Sequence, residues 1–168
     1  DSSIGVKQSV NGNLAKNYFG LFHPPQKVVL NPLLLWTNDE LSLISGLAEA
    51  MKHGLCQSQG LLDLIDKFLQ TQMCCVDLLE QITSITIDLK LEYMVIDPYE
   101  NSPTQFLELG HKVGHAIEHL NPHLPHGVCV LLGMLCEAHF FTIKNKISEE
   151  VFLYIEQTVM NLIRKLDS

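Results

Sequence analysis

The stretch Leu107-Glu108-Leu109-Gly110-His111-Lys112-Val113-Gly114-His115-Ala116-Ile117-Glu118, followed by a short Asn/Pro linker and Pro125-His126-Gly127, decides how this chain is read. His111 and His115 are four residues apart, which puts both imidazoles on one face of a helix. His126 follows at the start of the next helical segment. Two histidines a helical turn apart, with a third polar ligand returning from elsewhere, are how proteins build a catalytic metal site with an open coordination position. An i,i+4 histidine pair is by itself weak evidence, because most such residues are ordinary surface or core side chains. A carboxylate as third ligand changes that reading.

Working outward, Gly46-Leu47-Ala48-Glu49-Ala50-Met51-Lys52-His53-Gly54 puts Glu49 and Lys52 three apart on one helical face. The segment alone fits a solvated ion pair as well as it fits a site. With His111 and His126, Glu49 makes a Glu/His2 set suited to zinc or cobalt as a Lewis acid. Gly110 and Gly114 bracket His111 on what reads as one helix, where each glycine costs up to about 1 kcal/mol against alanine. Close backbone approach and tight helix packing both account for them. Lys7, Lys16-Asn17, Lys90 and Glu100 stand out in a chain with little positive charge, either as phosphate contacts or as solubilising surface.

The remaining sequence reads as helices behind a loop-rich lead-in. Gly5, Gly12, Gly20 and Pro24-Pro25 break up the first 30 or so residues, and Val28-Val29-Leu30 is a candidate strand. Asn38-Asp39-Glu40 reads as the cap of a helix through His53, ended by Gly54. Further helices are expected over Leu61–Phe68, Met73–Val95 (closed by Asp97-Pro98), Pro103–Leu120 and Gly127–Phe141, with a last one from Ser148 to about Leu166. The fold class is therefore mainly α. Residues 1–30 read as a loop-rich entry and 31–168 as a helical domain. The missing initiator Met and the ending on Lys-Leu-Asp-Ser read as a fragment truncated at both ends.

Composition narrows the function classes. The 168 residues suffice for one domain, and 46% hydrophobic content excludes disorder. The net charge of −8, with Arg164 the single arginine, argues against a nucleic-acid partner. No apolar run reaches the roughly 18 residues of a membrane span, and no signal segment opens the chain. The five cysteines, odd in number and without a C-x-x-C pair, read as reduced core residues of a cytoplasmic protein.

In order and spacing, several stretches resemble the sugar-phosphate cyclases of the dehydroquinate synthase superfamily. They are Asp1-Ser2-Ser3-Ile4-Gly5-Val6-Lys7, Lys16-Asn17 with Gly20, Phe22 and Pro25, Gly46 to Lys52, Lys90 with Asp97 and Glu100, Gly110 to Glu118, and His126-Gly127 with Gly133-Met134. Together they cover nearly everything from Asp1 to about His139. The resemblance implies a two-domain enzyme, dimeric as a full-length protein, in which residues 1–30 are the loop-rich end of a nucleotide-binding α/β domain with the interdomain segment and 31–168 are the helical metal and substrate domain. It also implies bound NAD that transiently oxidises a ring hydroxyl, followed by phosphate elimination, re-reduction and aldol closure to a carbocycle. By that resemblance Glu49, His111 and His126 are metal ligands, and His115 and Glu100 transfer protons. Asp1, Lys7, Asn17, Lys52 and Lys90 fall on substrate-contact positions, with Lys52 also assigned a catalytic part. Lys16 falls on an NAD contact, with Leu34 to Thr37 beside it. No Gly-x-Gly-x-x-Gly loop is present, so the segment alone is expected to be inactive.

Three departures refine the expectation. Dehydroquinate synthases usually carry Arg at the position of Thr104 and Asn at that of Glu108, both near the substrate's carboxylate end. Removing a cation and adding an anion there disfavours a carboxylated substrate, and Glu108 is accordingly assigned to substrate binding. Glu108, Val6–Asn11 and Asp97–Glu100 look instead like 2-deoxy-scyllo-inosose synthase, which cyclises glucose 6-phosphate in aminocyclitol antibiotic biosynthesis. Val128 replaces the Glu that usually follows His-Gly, which weakens support of the metal from behind its ligands. The competing readings are 3-dehydroquinate synthase, a polyol dehydrogenase of like architecture whose metal set includes an Asp, and a non-catalytic relative.

Overall fold

The computed structural model describes residues 3–13, 17–99 and 106–167, without the side chains of 166 and 167. Two short strands, β1 (Lys7–Val10) and β2 (Phe19–Phe22), form an antiparallel hairpin in which Lys7 pairs with Phe22 and Val10 with Phe19. A 3-10 turn, Pro32–Thr37, leads into α1 (Glu40–Gln57), α2 (Gln59–Gln70) and α3 (Val76–Ile96). A second 3-10 turn, Phe106–Glu108, precedes α4 (His111–Leu120), α5 (His126–Ile143) and α6 (Glu149–Ile163), and a 3-10 turn, Arg164–Asp167, follows. The mainly α class read from the sequence is the observed one.

Side-chain caps set the helix limits. Asp39, rather than Asn38, caps α1 by accepting from the Ser42 N–H at 2.7 Å. Gly54 does not end that helix. It lies inside α1, where α2 packs so closely that a Cβ would stand 2.4 Å from Leu62 Cδ2. The stop falls at Ser58, whose N–H reaches the Gly54 carbonyl while its hydroxyl accepts from Leu61 N–H to start α2. Ser148 caps α6 in the same way.

Ile44, Met51, Leu61, Ile65, Phe68, Leu131, Met134 and Leu162 are fully buried and tie α1, α2, α5 and α6 into one core. By length and composition α5 is, among the described residues, the one helix that meets the requirement for a membrane span, with a mean hydropathy of 1.5. This corrects the expectation that no run is long enough. Its place between α1, α4 and α6, with Val128 to Leu131 and Met134 buried, gives that apolarity a use in the core.

Two further expectations are corrected. Val28-Val29-Leu30 forms no strand: Val29 is 78% exposed, prolines flank the segment, and the pairing goes to β1 and β2 instead. The cysteines are all free as expected, but only Cys129 is a core residue; Cys56, Cys74 and Cys136 are exposed.

Candidate metal centre

Glu49 projects from the middle of α1, and His111 and His126 are the first residues of α4 and α5. Glycines let these three helices meet. Gly110 is the left-handed N-cap of α4 (φ 78°), not a helical residue as expected, and its N–H donates to Glu137 Oε2 at 2.9 Å. A Cβ on Gly133 would stand 2.0 Å from the Gly110 carbonyl oxygen, and one on Gly114 3.0 Å from that of Cys129. Gly127 seats the first turn of α5 on α1: its N–H donates to Ser45 Oγ at 2.9 Å, and a Cβ there would lie 2.2 Å from Ser45 O. Close backbone approach therefore explains the glycines flanking the histidines.

Glu49 Oε1 faces His111 Nε2 at 3.4 Å and His126 Nε2 at 3.8 Å, and the two imidazole centroids are 5.4 Å apart. The ligand atoms of the three residues all lie within 4.8 Å of one another. Oε1 is buried and has no hydrogen-bond partner among the described residues, so its contact with His111 is electrostatic. An unsatisfied buried carboxylate oxygen is costly unless something positive meets it. The other oxygen, Oε2, takes the Lys52 ammonium at 2.5 Å. Lys52 is 2% exposed, so this is a buried ion pair and not the solvated one the sequence also allowed. Burial alone would raise the Glu49 carboxyl, but His111 and Lys52 outweigh it and hold the group below the usual carboxylate range.

Hydrogen bonds on the far side orient each ring. His111 Nδ1 lies 3.3 Å from the Leu109 carbonyl, and His126 Nδ1 lies 3.2 Å from Glu118 Oε2. Both oxygens only accept, so each Nδ1 is the donor there, and a neutral ring held this way, as a metal would require, turns its Nε2 lone pair toward Glu49. A carboxylate oxygen without a proton donor and two imidazole lone pairs on three helices fit a divalent ion. The His126 side chain is 36% exposed, which leaves one side of the centre open. His115 borders that side, its ring 5.6 Å from those of His111 and His126.

The polar partners of Glu49, His111 and His126 among the described residues are Lys52, Glu118 and the Leu109 carbonyl. Lys7 is on β1. Asn17 sits in the hairpin connection (φ 56°), holding Ser9 Oγ and Asn11. Leu34 and Thr37 are on the first 3-10 turn, where the Thr37 hydroxyl donates to the Leu34 carbonyl at 2.7 Å. Lys90 is on α3, near enough to His53 to help depress its pKa, and Glu108 is half-buried on the second 3-10 turn. Asp1, Lys16, Glu100 and Thr104 lie outside the described residues. The sequence reading gave no role to Glu118 or Glu137. The signal for Glu118 was its spacing of three from His115, whereas Glu137 meets Gly110 across 27 residues with no local sign.

Residues 46–167 match the 3-dehydroquinate synthase C-terminal family, and residues 1–45 match the 3-dehydroquinate synthase N-terminal family. The chain belongs to the 3-dehydroquinate synthase family. Among curated relatives, it is 32% identical over 162 residues to the 3-dehydroquinate synthase of Tropheryma whipplei (strain Twist), covering 90% of this chain and 43% of that protein. It is 34% identical over 137 residues to that of Streptococcus sanguinis (strain SK36), covering 80% and 39%. The chain thus spans about two fifths of the length of these relatives. Among solved structures, it superposes on 2-deoxy-scyllo-inosose synthase complexed with carbaglucose-6-phosphate, NAD+ and Co2+ with a TM-score of 0.83. That match has 24% identity and covers 96% of this chain and 45% of the other. The 2-epi-5-epi-valiolone synthase of Streptomyces hygroscopicus subsp. jinggangensis 5008, with NAD+ and Zn2+ bound, gives 0.79 at 22% identity, covering 99% and 51%. At such identities the likeness shows the fold.

Proposed function

We propose that this chain is the metal- and substrate-handling part of an NAD-dependent sugar-phosphate cyclase that takes glucose 6-phosphate to 2-deoxy-scyllo-inosose. The observation that carries the reading is Glu49 Oε1, buried without a hydrogen-bond donor among the described residues and facing two imidazole nitrogens. Glu49, His111 and His126 hold one zinc or cobalt ion, which when bound supplies Lewis-acid polarisation of substrate oxygens. Lys52 acts through Glu49, holding Oε2 so that Oε1 points into the centre. His115 stands on the open side, one helical turn from His111, where an imidazole can pass a proton to or from the substrate. Lys7, Lys90 and Asn17 serve the phosphate and hydroxyl groups in the complete polypeptide, and NAD is held largely by its nucleotide-binding part. The working enzyme is a cytoplasmic homodimer.

The choice of sugar rests on charge. By the resemblance, the Glu108 and Thr104 positions fall where a substrate carboxylate would sit, and this sequence supplies an anion and no cation at them. Like-charge contact in a partly buried site costs on the order of a few kcal/mol, enough for about hundredfold discrimination. The second reading, 3-dehydroquinate synthase, is favoured by the names of the curated relatives at 32% and 34% identity. Phosphate release by the complete polypeptide, measured with glucose 6-phosphate and with the seven-carbon carboxylated sugar phosphate, separates the two. The first substrate should win, and Glu108→Asn with Thr104→Arg should shift preference toward the second. Preference for the carboxylated sugar by the unmodified enzyme would establish the 3-dehydroquinate synthase reading in its place.

A further inference from the structure

His126 faces two ways. Its Nε2 looks toward Glu49 and its Nδ1 toward Glu118 Oε2 at 3.2 Å. His115 comes from the same helix as Glu118, three residues earlier, and its ring is 5.6 Å from that of His126. The ligand atoms that His115, Glu118 and His126 offer all lie within 4.8 Å of one another, as compact as the Glu49 set. His115 is exposed and the other two are half-buried, so this second cluster opens to solvent.

We propose that His115, Glu118 and His126 form a second, weaker divalent-metal site, which shares the His126 ring with the Glu49 centre and whose occupancy blocks the enzyme. Two imidazoles and a carboxylate suit zinc, and solvent completes the tetrahedron. Exposure makes the site weaker than the Glu49 set, because its ligands are less fixed. The chemistry balances without redox. Glu118 stops accepting from Nδ1–H and becomes a ligand, the Nδ1 proton leaves to solvent, and the imidazolate joins the two ions. The second ion also engages His115, the side chain read above as the proton-transfer group. The proposal rests on that reading for the consequence of occupancy, but its ligands include neither Glu49 nor His111.

The test is zinc titration of the complete, metal-free polypeptide, following bound zinc by equilibrium dialysis and released protons in a weakly buffered solution. The expected result is one tightly held ion, then a second that binds only in excess and releases one additional proton. His111→Ala should abolish the tight class and keep the weak one. Glu118→Gln and, separately, His115→Ala should abolish the weak class. Glu118→Gln should also loosen the tight class by about tenfold to a hundredfold, because the His126 ring loses its orienting partner. A folded Glu118→Gln or His115→Ala protein that still takes two ions overturns the second site. So does a folded His111→Ala protein that takes none. Tight binding unaffected by His111→Ala would instead overturn the Glu49 centre, so the two failures are distinguishable.

Discussion

Gly133→Ala should loosen the metal centre from behind. The added Cβ would stand 2.0 Å from the Gly110 carbonyl oxygen, 2.8 Å from Gly114 N and 2.9 Å from Gly110 C. All three are backbone atoms of the α4 start, so no side chain can swing aside. Ordinary contact begins at 3.4 Å, so α4 and α5 must part by about 1.4 Å at this point. Overpacking of this kind costs about 1–3 kcal/mol, and widening the interface forfeits further dispersion contacts. Alanine recovers up to about 1 kcal/mol of helix propensity, leaving a net loss of about 2 kcal/mol. For a protein of this size that lowers Tm by about 4–8 °C. Because His111 follows Gly110 directly, the same shift moves its Nε2 away from Glu49. Zinc affinity should fall by about tenfold to a hundredfold, as when ligand positioning is lost. Gly60→Ala is the control: only Ser58 Oγ, at 3.9 Å, is near the new Cβ, so it should stabilise by up to about 1 kcal/mol. Thermal melts and zinc titrations of both variants decide the matter. A Gly133→Ala protein as stable as its parent, with unchanged zinc affinity, would refute the claim that helix contact positions the ligands.

Lys52→Met removes one half of a buried ion pair and should cost about 3 kcal/mol in the metal-free protein. The loss should shrink with zinc bound, because the ion then meets the Glu49 charge; equal losses in urea titrations with and without zinc would contradict this. His53 is fully buried, and burial in particular holds its pKa below the ordinary 6.5. The unfolded chain therefore takes up a proton that the folded chain refuses. The His53 contribution to stability is complete above about pH 6.5 and declines as the pH falls toward the depressed folded value. The urea midpoint should drop between pH 7.5 and 5.5, and drop less in His53→Gln; identical drops would exclude His53 as a source.

Local signals reveal what is local. The Asp39 and Ser148 caps, the histidine pair and the position of His126 at a helix start are all legible, because each depends on a few neighbouring residues. The hairpin is not, because Lys7–Val10 and Phe19–Phe22 are exposed throughout and lack the apolar alternation that a half-buried strand imprints. Nor does Gly54 advertise that it is a packing glycine and not a helix stop, since the close neighbour is Leu62 on the next helix. The site divides the same way. Glu49, His111 and His126 stand out by residue type. The burial of Lys52 and the roles of Glu118 and Glu137 come from packing between segments far apart in sequence.

The account stands most directly on where a metal ion sits. Diffraction from crystals of the complete polypeptide grown with one equivalent of zinc, collected at the zinc absorption edge, locates it without reference to activity. The account predicts one anomalous peak about 2.0–2.2 Å from Glu49 Oε1, His111 Nε2 and His126 Nε2. A peak elsewhere, or none beside these three atoms, would contradict it.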